Sequence, residues 1–274
     1  MTLASAPDSI VFVGAGKMGA ALLCGLARAG GPAWIEVIEP NPSAEVEALC
    51  AAHDIALRPA PAAEGPPAGT LLLAIKPQML EKVAPTLAPL VGPETLVVSI
   101  LAGKRINDLS ARLVAKAFVR AMPNTPAAIG RGITGAYANA ATSEAQREMA
   151  QRLLAAAGEV VWVEREALID AVTAVSGSGP AYVFLLAECL AAAGAAAGLP
   201  EDLAARLARA TVSGAGELMH RTPELSPATL RENVTSPGGT TAAALAVLMA
   251  QDGLAPLMTR AVEAAKRRAA ELSG

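Results

Sequence analysis

The strongest constraint on this chain is the stretch from Ile10 to Gly19, Ile-Val-Phe-Val-Gly-Ala-Gly-Lys-Met-Gly. Four apolar residues run directly into Gly-x-Gly-x-x-Gly. Ala20 to Ala29 follows as a run of mostly small and apolar residues at helical spacing, with Gly30 and Gly31 as its stop. Such a string predicts a buried strand, a tight turn and a helix start. Gly14 allows the turn, Gly16 lets a pyrophosphate approach the backbone, and Gly19 lets helix and strand pack closely. The helix start adds unpaired N–H groups and the positive end of its dipole. Glycine triplets alone say little in a chain with 24 glycines, but this one has the strand and helix around it, and Glu39 closes the next predicted strand. The stretch therefore predicts a dinucleotide site built from Gly14, Ala15, Gly16, Lys17, Met18 and Gly19, with Glu39 and Asn41 at its adenosine end.

The remaining 255 residues beyond Gly19 divide by pattern. As far as about residue 164, strand and helix alternate. Trp34–Ile38, Ile55–Leu57, Thr70–Ile75, Thr95–Ile100, Lys116–Ala121, Ile133–Ala138 and Glu159–Val163 read as strands. Asn41 is placed to cap the helix after the second strand, with Pro42 at its first position. Ser143 and Gln146 form a capping box before another helix. Repeated βα units imply a doubly wound, mostly parallel sheet, whose ligands sit outside the carboxyl ends of the strands. That adds Ala74, Ile75, Lys76 and Pro77, then Ala102 and Gly103, and Asn124 to the candidate cofactor contacts.

After Val163 the pattern is helical only, with breaks expected at Ser176–Pro180 and Thr235–Gly239. The predicted organisation is thus residues 1–164 as a dinucleotide-binding domain and 165–274 as a helical domain. Alanine and glycine dominate the faces of the later helices. Small residues allow close approach but bury little, so this domain is expected to complete its core against a second copy of the chain.

Composition excludes several function classes. Charged residues are 17% of the chain and the net charge is −3, without a basic block, which argues against nucleic acid as a partner. Two histidines and three scattered cysteines offer neither metal-ligand spacing nor a disulfide framework, and suggest a reducing cytoplasm. The mean hydropathy of +0.42 is high for a soluble protein. The apolar run Ala181–Leu199 is long, but Glu188, Gly194 and Gly198 interrupt it and alanine anchors poorly, so no membrane span is expected. The start of the chain does not read as a signal peptide.

Four motifs then carry a resemblance. Leu230-Arg-Glu-Asn-Val-Thr-Ser-Pro-Gly-Gly-Thr-Thr241 resembles the signature of pyrroline-5-carboxylate reductases. Ala74-Ile-Lys-Pro77, Met122-Pro-Asn-Thr-Pro126 and Ser176-Gly-Ser-Gly-Pro-Ala-Tyr182 agree with that family in order and spacing. The resemblance spans nearly the whole chain. It implies reduction of the cyclic imine Δ1-pyrroline-5-carboxylate to L-proline by NADPH or NADH, the last step of proline synthesis. It also implies a Rossmann-type domain followed by a helical dimerisation domain, in a family whose dimers often assemble further into rings.

The residues themselves suit that substrate. Gly238 and Gly239 leave the backbone bare before a helix opened by Thr240 and Thr241. With Ser236, they offer successive N–H groups to a carboxylate without any arginine. The alternative is a plain helix cap made by Thr240 or Thr241. By resemblance, Thr241 contacts the ring nitrogen and is the expected catalytic residue. A β-hydroxyacid dehydrogenase of similar build needs a catalytic lysine in the second domain, and lysine is absent between Lys116 and Lys266. A silent dinucleotide sensor would not need the Ser236–Thr241 loop. Two features depart from the family. Ala60–Pro61 stands where many members place an asparagine near the adenosine. Glu39 favours NADH, whereas members commonly favour NADPH.

Overall fold

The computed structural model describes residues 9–30, 34–62 and 65–273; Gly31 lies outside them. The first strands and helices are β1 (Ile10–Val13), α1 (Lys17–Arg28), β2 (Ile35–Ile38), α2 (Ala44–Ala52), β3 (Ala56–Arg58) and β4 (Thr70–Leu73). A passage rich in proline follows, in which α3 (Leu80–Val83) lies between two 3₁₀ segments. Next come β5 (Leu96–Ser99), α4 (Ile106–Ser110), β6 (Ala117–Met122), β7 (Gly132–Ala138), α5 (Glu144–Ala155) and β8 (Gly158–Trp162). The remaining helices are α6 (Leu168–Val172), α7 (Gly179–Ala196), α8 (Glu201–Arg221), α9 (Pro227–Asn233), α10 (Thr240–Leu248) and α11 (Leu254–Leu272).

The chain forms two compact units. One runs to Gly177 and takes in the chain again from Ala265; the other is Ser178–Ala264. The expected boundary at residue 165 marks where strands stop, whereas the compact units divide inside the helices that follow.

In the first unit the strands form one sheet in the order β3-β2-β1-β4-β5-β6-β7-β8. Order reverses between β1 and β4, and all pairings are parallel except β6 with β7. Only nine residues join those two strands, too few for the crossover a parallel pair needs. The central strands β1, β4 and β5 are buried on both sides. Leu72, Phe12 and Val98 pack with Leu22, Leu23 and Leu26 of α1 and Leu153 of α5. Leu71, Leu73, Val13 and Val97 pack on the other face with Leu80, Leu87 and Leu109. Period-2 alternation thus explains why Thr70–Leu73 reads as a continuous apolar run.

Two predicted helix ends change. Ser43, not Asn41, caps α2, its Oγ accepting the Val46 N–H at 3.3 Å. The Asn41 N–H is tied back to Glu39, and the helix starts at Ala44. The expected break at Ser176–Pro180 is instead a π-helix over Thr173–Gly177 that leads into α7. The capping box of Ser143 and Gln146 is present.

The second unit contains an α7–α8 pair in which Gly194 faces Ala204. It has little interior: α7, α9 and α10 have no fully buried residue, and α8 has two, Ala204 and Ala208. Phe184, Leu185 and Leu186 are more than half exposed.

Candidate active site

The cofactor candidates of the first unit gather at the carboxyl ends of β1, β2, β4, β5 and β6. The β1–α1 turn is locked on both sides: the Gly14 N–H donates to Ile38 and the Ala74 N–H donates to Val13. Gly14 has φ +97°, and a Cβ there would stand 2.7 Å from the Ala74 carbonyl oxygen. Only glycine satisfies both conditions. Gly16 caps α1 and faces open space, where a Cβ would meet nothing within 4 Å. Lys17 and Met18 supply the next N–H groups of the helix start, Lys17 exposed and Met18 half-buried. The turn therefore has what a pyrophosphate needs: free helix N–H groups, an approach without side chains, and an adjacent ammonium group.

Glu39 lies against this turn. One carboxylate oxygen accepts the Ala15 N–H at 2.9 Å and the other accepts the Asn41 N–H at 3.0 Å. The carboxylate is thereby pinned beside the glycine loop, and each oxygen keeps lone pairs for further donors. Arg58, the nearest later cation in sequence, is engaged elsewhere. Its Nε lies 2.9 Å from Oε1 of the buried Glu36. Arg58 pairs with Ile38 in the ladder, so it shares a face with Ile38 and Glu36; alternation turns Glu39 to the other face.

Beyond β4, Ala74 and Ile75 are half-buried, while Lys76 is exposed and caps a 3₁₀ turn opened by Pro77. Ala102 and Gly103 follow β5, with Ala102 exposed and Gly103 at φ +69°. Asn124 follows β6 and is buried; its Oδ1 accepts the Ile133 N–H at 2.9 Å. Its carbonyl side thus shapes the β6–β7 connection, a task its sequence did not announce. A hollow of about 710 Å³ lined by Thr70, Thr95, Ser143 and Arg152 lies at the opposite end of the strands and holds none of these groups.

The second unit carries the other candidates on one loop. The Gly239 N–H donates to the Ser236 carbonyl at 3.0 Å, and Gly238 adopts φ +70° in open space. Gly239 caps α10 with its backbone alone, so Thr240 and Thr241 are its first two helical residues and neither is the cap. Their N–H groups have no partner within the helix. Ser236 and Thr240 are exposed and Thr241 is half-buried.

A doubly wound sheet, a bare glycine turn and an acidic group at the end of β2 define a dinucleotide-dependent oxidoreductase with an added helical unit. The family model described as "Pyrroline-5-carboxylate reductase dimerisation" matches residues 166–272, and that described as "NADP oxidoreductase coenzyme F420-dependent" matches residues 9–103. The pyrroline-5-carboxylate reductase of Pseudomonas aeruginosa is 45% identical over 96% of both chains, and that of Synechocystis 42% identical over 95% of this chain and 97% of its own. The solved pyrroline-5-carboxylate reductase of Coxiella burnetii superposes with a TM-score of 0.88 at 34% identity, covering 98% of this chain and all of its own. The Plasmodium falciparum pyrroline carboxylate reductase, solved with NADP bound, gives 0.78 at 26% identity, over 97% and 98% of the two chains. The chain belongs to the pyrroline-5-carboxylate reductase family. It is an oxidoreductase that takes a nicotinamide cofactor and associates through its helical dimerisation region.

Proposed function

We infer that this protein reduces L-Δ1-pyrroline-5-carboxylate to L-proline, the final step of proline biosynthesis, with the cofactor on the first unit and the substrate on the Ser236–Thr241 loop. The observation that carries the reading is that loop. It combines an exposed serine, a left-handed glycine and a helix start without a side-chain cap. The N–H groups of Gly238, Thr240 and Thr241 suit a small carboxylate, and Ser236 adds a hydroxyl; the expected Gly239 N–H is instead spent on the Ser236 carbonyl. The Thr241 hydroxyl, free of a capping task, is assigned to the ring nitrogen, which it orients. The imine nitrogen is basic enough to arrive protonated, so the protein needs no separate general acid. Bound reduced nicotinamide supplies the hydride to the imine carbon; the protein contributes position and electrostatics.

The cofactor residues are assigned by place. Gly14–Gly19 take the pyrophosphate, Glu39 and Asn41 the adenosine ribose, and Ala74–Pro77, Ala102, Gly103 and Asn124 the remainder. In this assignment residues 1–164 serve the dinucleotide, and residues 165–274 serve dimerisation and substrate. A reducing cytoplasm suits the free Cys24, Cys50 and Cys189. A homodimer is the basic assembly, and a ring of dimers is its extension.

We further infer that NADH serves at least as well as NADPH. The pinned Glu39 carboxylate repels a 2′-phosphate, and Arg58 is committed to Glu36 on the opposite face. Nicotinamide oxidation followed spectrophotometrically with pyrroline-5-carboxylate tests both readings. Turnover is expected with either cofactor. Absence of turnover sinks the substrate assignment, and a tenfold higher kcat/KM with NADPH sinks the Glu39 argument.

A further inference from the structure

The loop between β5 and α4 carries Ala102 and Gly103, and its shape is set from outside the loop. Gly103 has φ +69°, and a Cβ there would stand 2.8 Å from the carbonyl oxygen and 3.0 Å from the Cβ of Leu272, at the end of α11. Three residues later, the Ile106 N–H donates to the Glu166 carboxylate at 2.8 Å. The loop is thus pressed against the last turn of α11 on one side and tied to the segment before α6 on the other. Between its ends, which are bonded to the Leu73 carbonyl through the Ile100 N–H and to Asp108 through the Arg105 N–H, it makes Leu101 N–H to Ser99 Oγ and Lys104 N–H to the Leu101 carbonyl, both 3.3 Å.

Both outside supports converge on one buried cation. Arg120 lies inside β6 and is 3% exposed. Its Nη1 is 3.5 Å from Glu166 Oε1, and its Nη2 is 3.3 Å from Asp170 Oδ1 and 3.4 Å from Ser273 Oγ. Ser273, itself buried, bonds to Asp170 and to the Ala269 carbonyl. One guanidinium therefore gathers Glu166, which holds Ile106, and Ser273, which follows Leu272. The residues come from three distant parts of the chain and all belong to the first unit.

We propose that Arg120 and Ser273 are positioning residues for the cofactor: by fixing Glu166 and the Leu272–Ser273 turn, they hold the loop from Ile100 to Arg105 in its binding shape. Neither residue touches the loop's exposed surface; each acts through Glu166 or Leu272. The planar fork of Arg120 is what lets one side chain reach several oxygens, and a lysine ammonium lacks that geometry. The proposal rests on the reading of Ala102 and Gly103 as cofactor contacts.

The test compares Ser273→Ala, Ser273→Thr, Arg120→Lys and Ala102→Glu in the full chain. It measures KM and kcat for each substrate, dissociation constants for NADH and NADPH by nicotinamide fluorescence, and melting temperature. Ser273→Ala and Arg120→Lys are expected to raise the cofactor KM and Kd by about three- to tenfold, leaving the pyrroline-5-carboxylate KM within about twofold. Ser273→Thr, which keeps the hydroxyl, is expected to restore cofactor binding. Ala102→Glu places a negative charge on the exposed loop and is expected to weaken cofactor binding directly. If Ala102→Glu weakens the cofactor while Ser273→Ala and Arg120→Lys leave it unchanged, the positioning role is overturned and the loop assignment stands. If Ala102→Glu has no effect, the loop assignment fails and the proposal falls with it. A fall in melting temperature with equal loss in every kinetic constant would show a structural role only, and would also overturn it.

Discussion

At the scale of single residues, Glu39 and Thr241 are the two on which the proposed function turns. The carboxylate of Glu39 holds Ala15 and Asn41 as well as a negative field, so a short replacement would release the glycine loop and confuse two effects. Glu39→Gln keeps an acceptor for Ala15 and removes the charge. It is expected to shift the NADPH-to-NADH ratio of kcat/KM towards NADPH by about tenfold, the equivalent of ~1–2 kcal/mol near a surface. Steady-state kinetics with both cofactors checks it. Thr241→Ala is expected to lower kcat/KM by roughly ten- to a hundredfold, about 1–3 kcal/mol of transition-state stabilisation. Its melting temperature should hardly move, because Gly239 and not Thr241 caps α10. Unchanged kinetics with a large drop in melting temperature would reverse that assignment. Glu39 was legible from its spacing after the glycine turn. Its bond to the Ala15 N–H was not, since that depends on how β1 and β2 lie side by side, whereas the Asn41 N–H is only two residues away.

At the scale of elements, the β1–α1 turn illustrates what a local motif specifies. A positive φ and the approach of the Ala74 backbone both act on Gly14. Gly14→Ala is therefore expected to cost on the order of 2 kcal/mol or more and to abolish cofactor binding. Chemical denaturation and fluorescence titration measure the two effects separately. Helix ends were less legible. Asn41 and Ser43 are both good capping residues, and the folded chain uses Ser43, with the Asn41 N–H turned back to Glu39. At Ser176–Pro180 the glycines and proline suggest a break. The chain instead absorbs an extra residue as a π-turn, with Gly177 against the Met122 side chain and the Ser176 hydroxyl bonded to the Val172 carbonyl. A proline in the first turn of α7 has no helical hydrogen bond to lose, so the helix passes through.

At the scale of the whole molecule, the second unit is incomplete as a single chain. Its helices expose Phe184, Leu185 and Leu186 on α7 and Val247 on α10, and Met249 is exposed just past the end of α10. The segment Leu168–Ala196 is long and apolar enough to cross a membrane by length and composition. We propose that this segment, alanine-rich and inside the matched dimerisation region, serves as an interface between copies. The protein is expected to be a dimer or larger at micromolar concentration by light scattering. Phe184→Asp places a charge in that interface and should reduce the mass or the stability of the assembly, with loss of activity. A wild-type monomer would contradict this reading.

What the sequence determined by itself is what neighbours in the chain decide: the strand–glycine–helix unit at Ile10–Arg28, the alternation that makes the sheet, and the bare Gly238–Gly239 backbone before the helix opened by Thr240. Each follows from backbone freedom and apolar period over a few residues. The tertiary structure decided what depends on distant segments meeting. It made β7 antiparallel to β6, because the short connection and the Asn124 side chain turn the chain back. It also turned Arg120, an unremarked residue in an apolar strand, into the meeting point of Glu166, Asp170 and Ser273. A guanidinium removed from water needs partners, and only the folded chain brings together carboxylates and a hydroxyl so far from it in sequence.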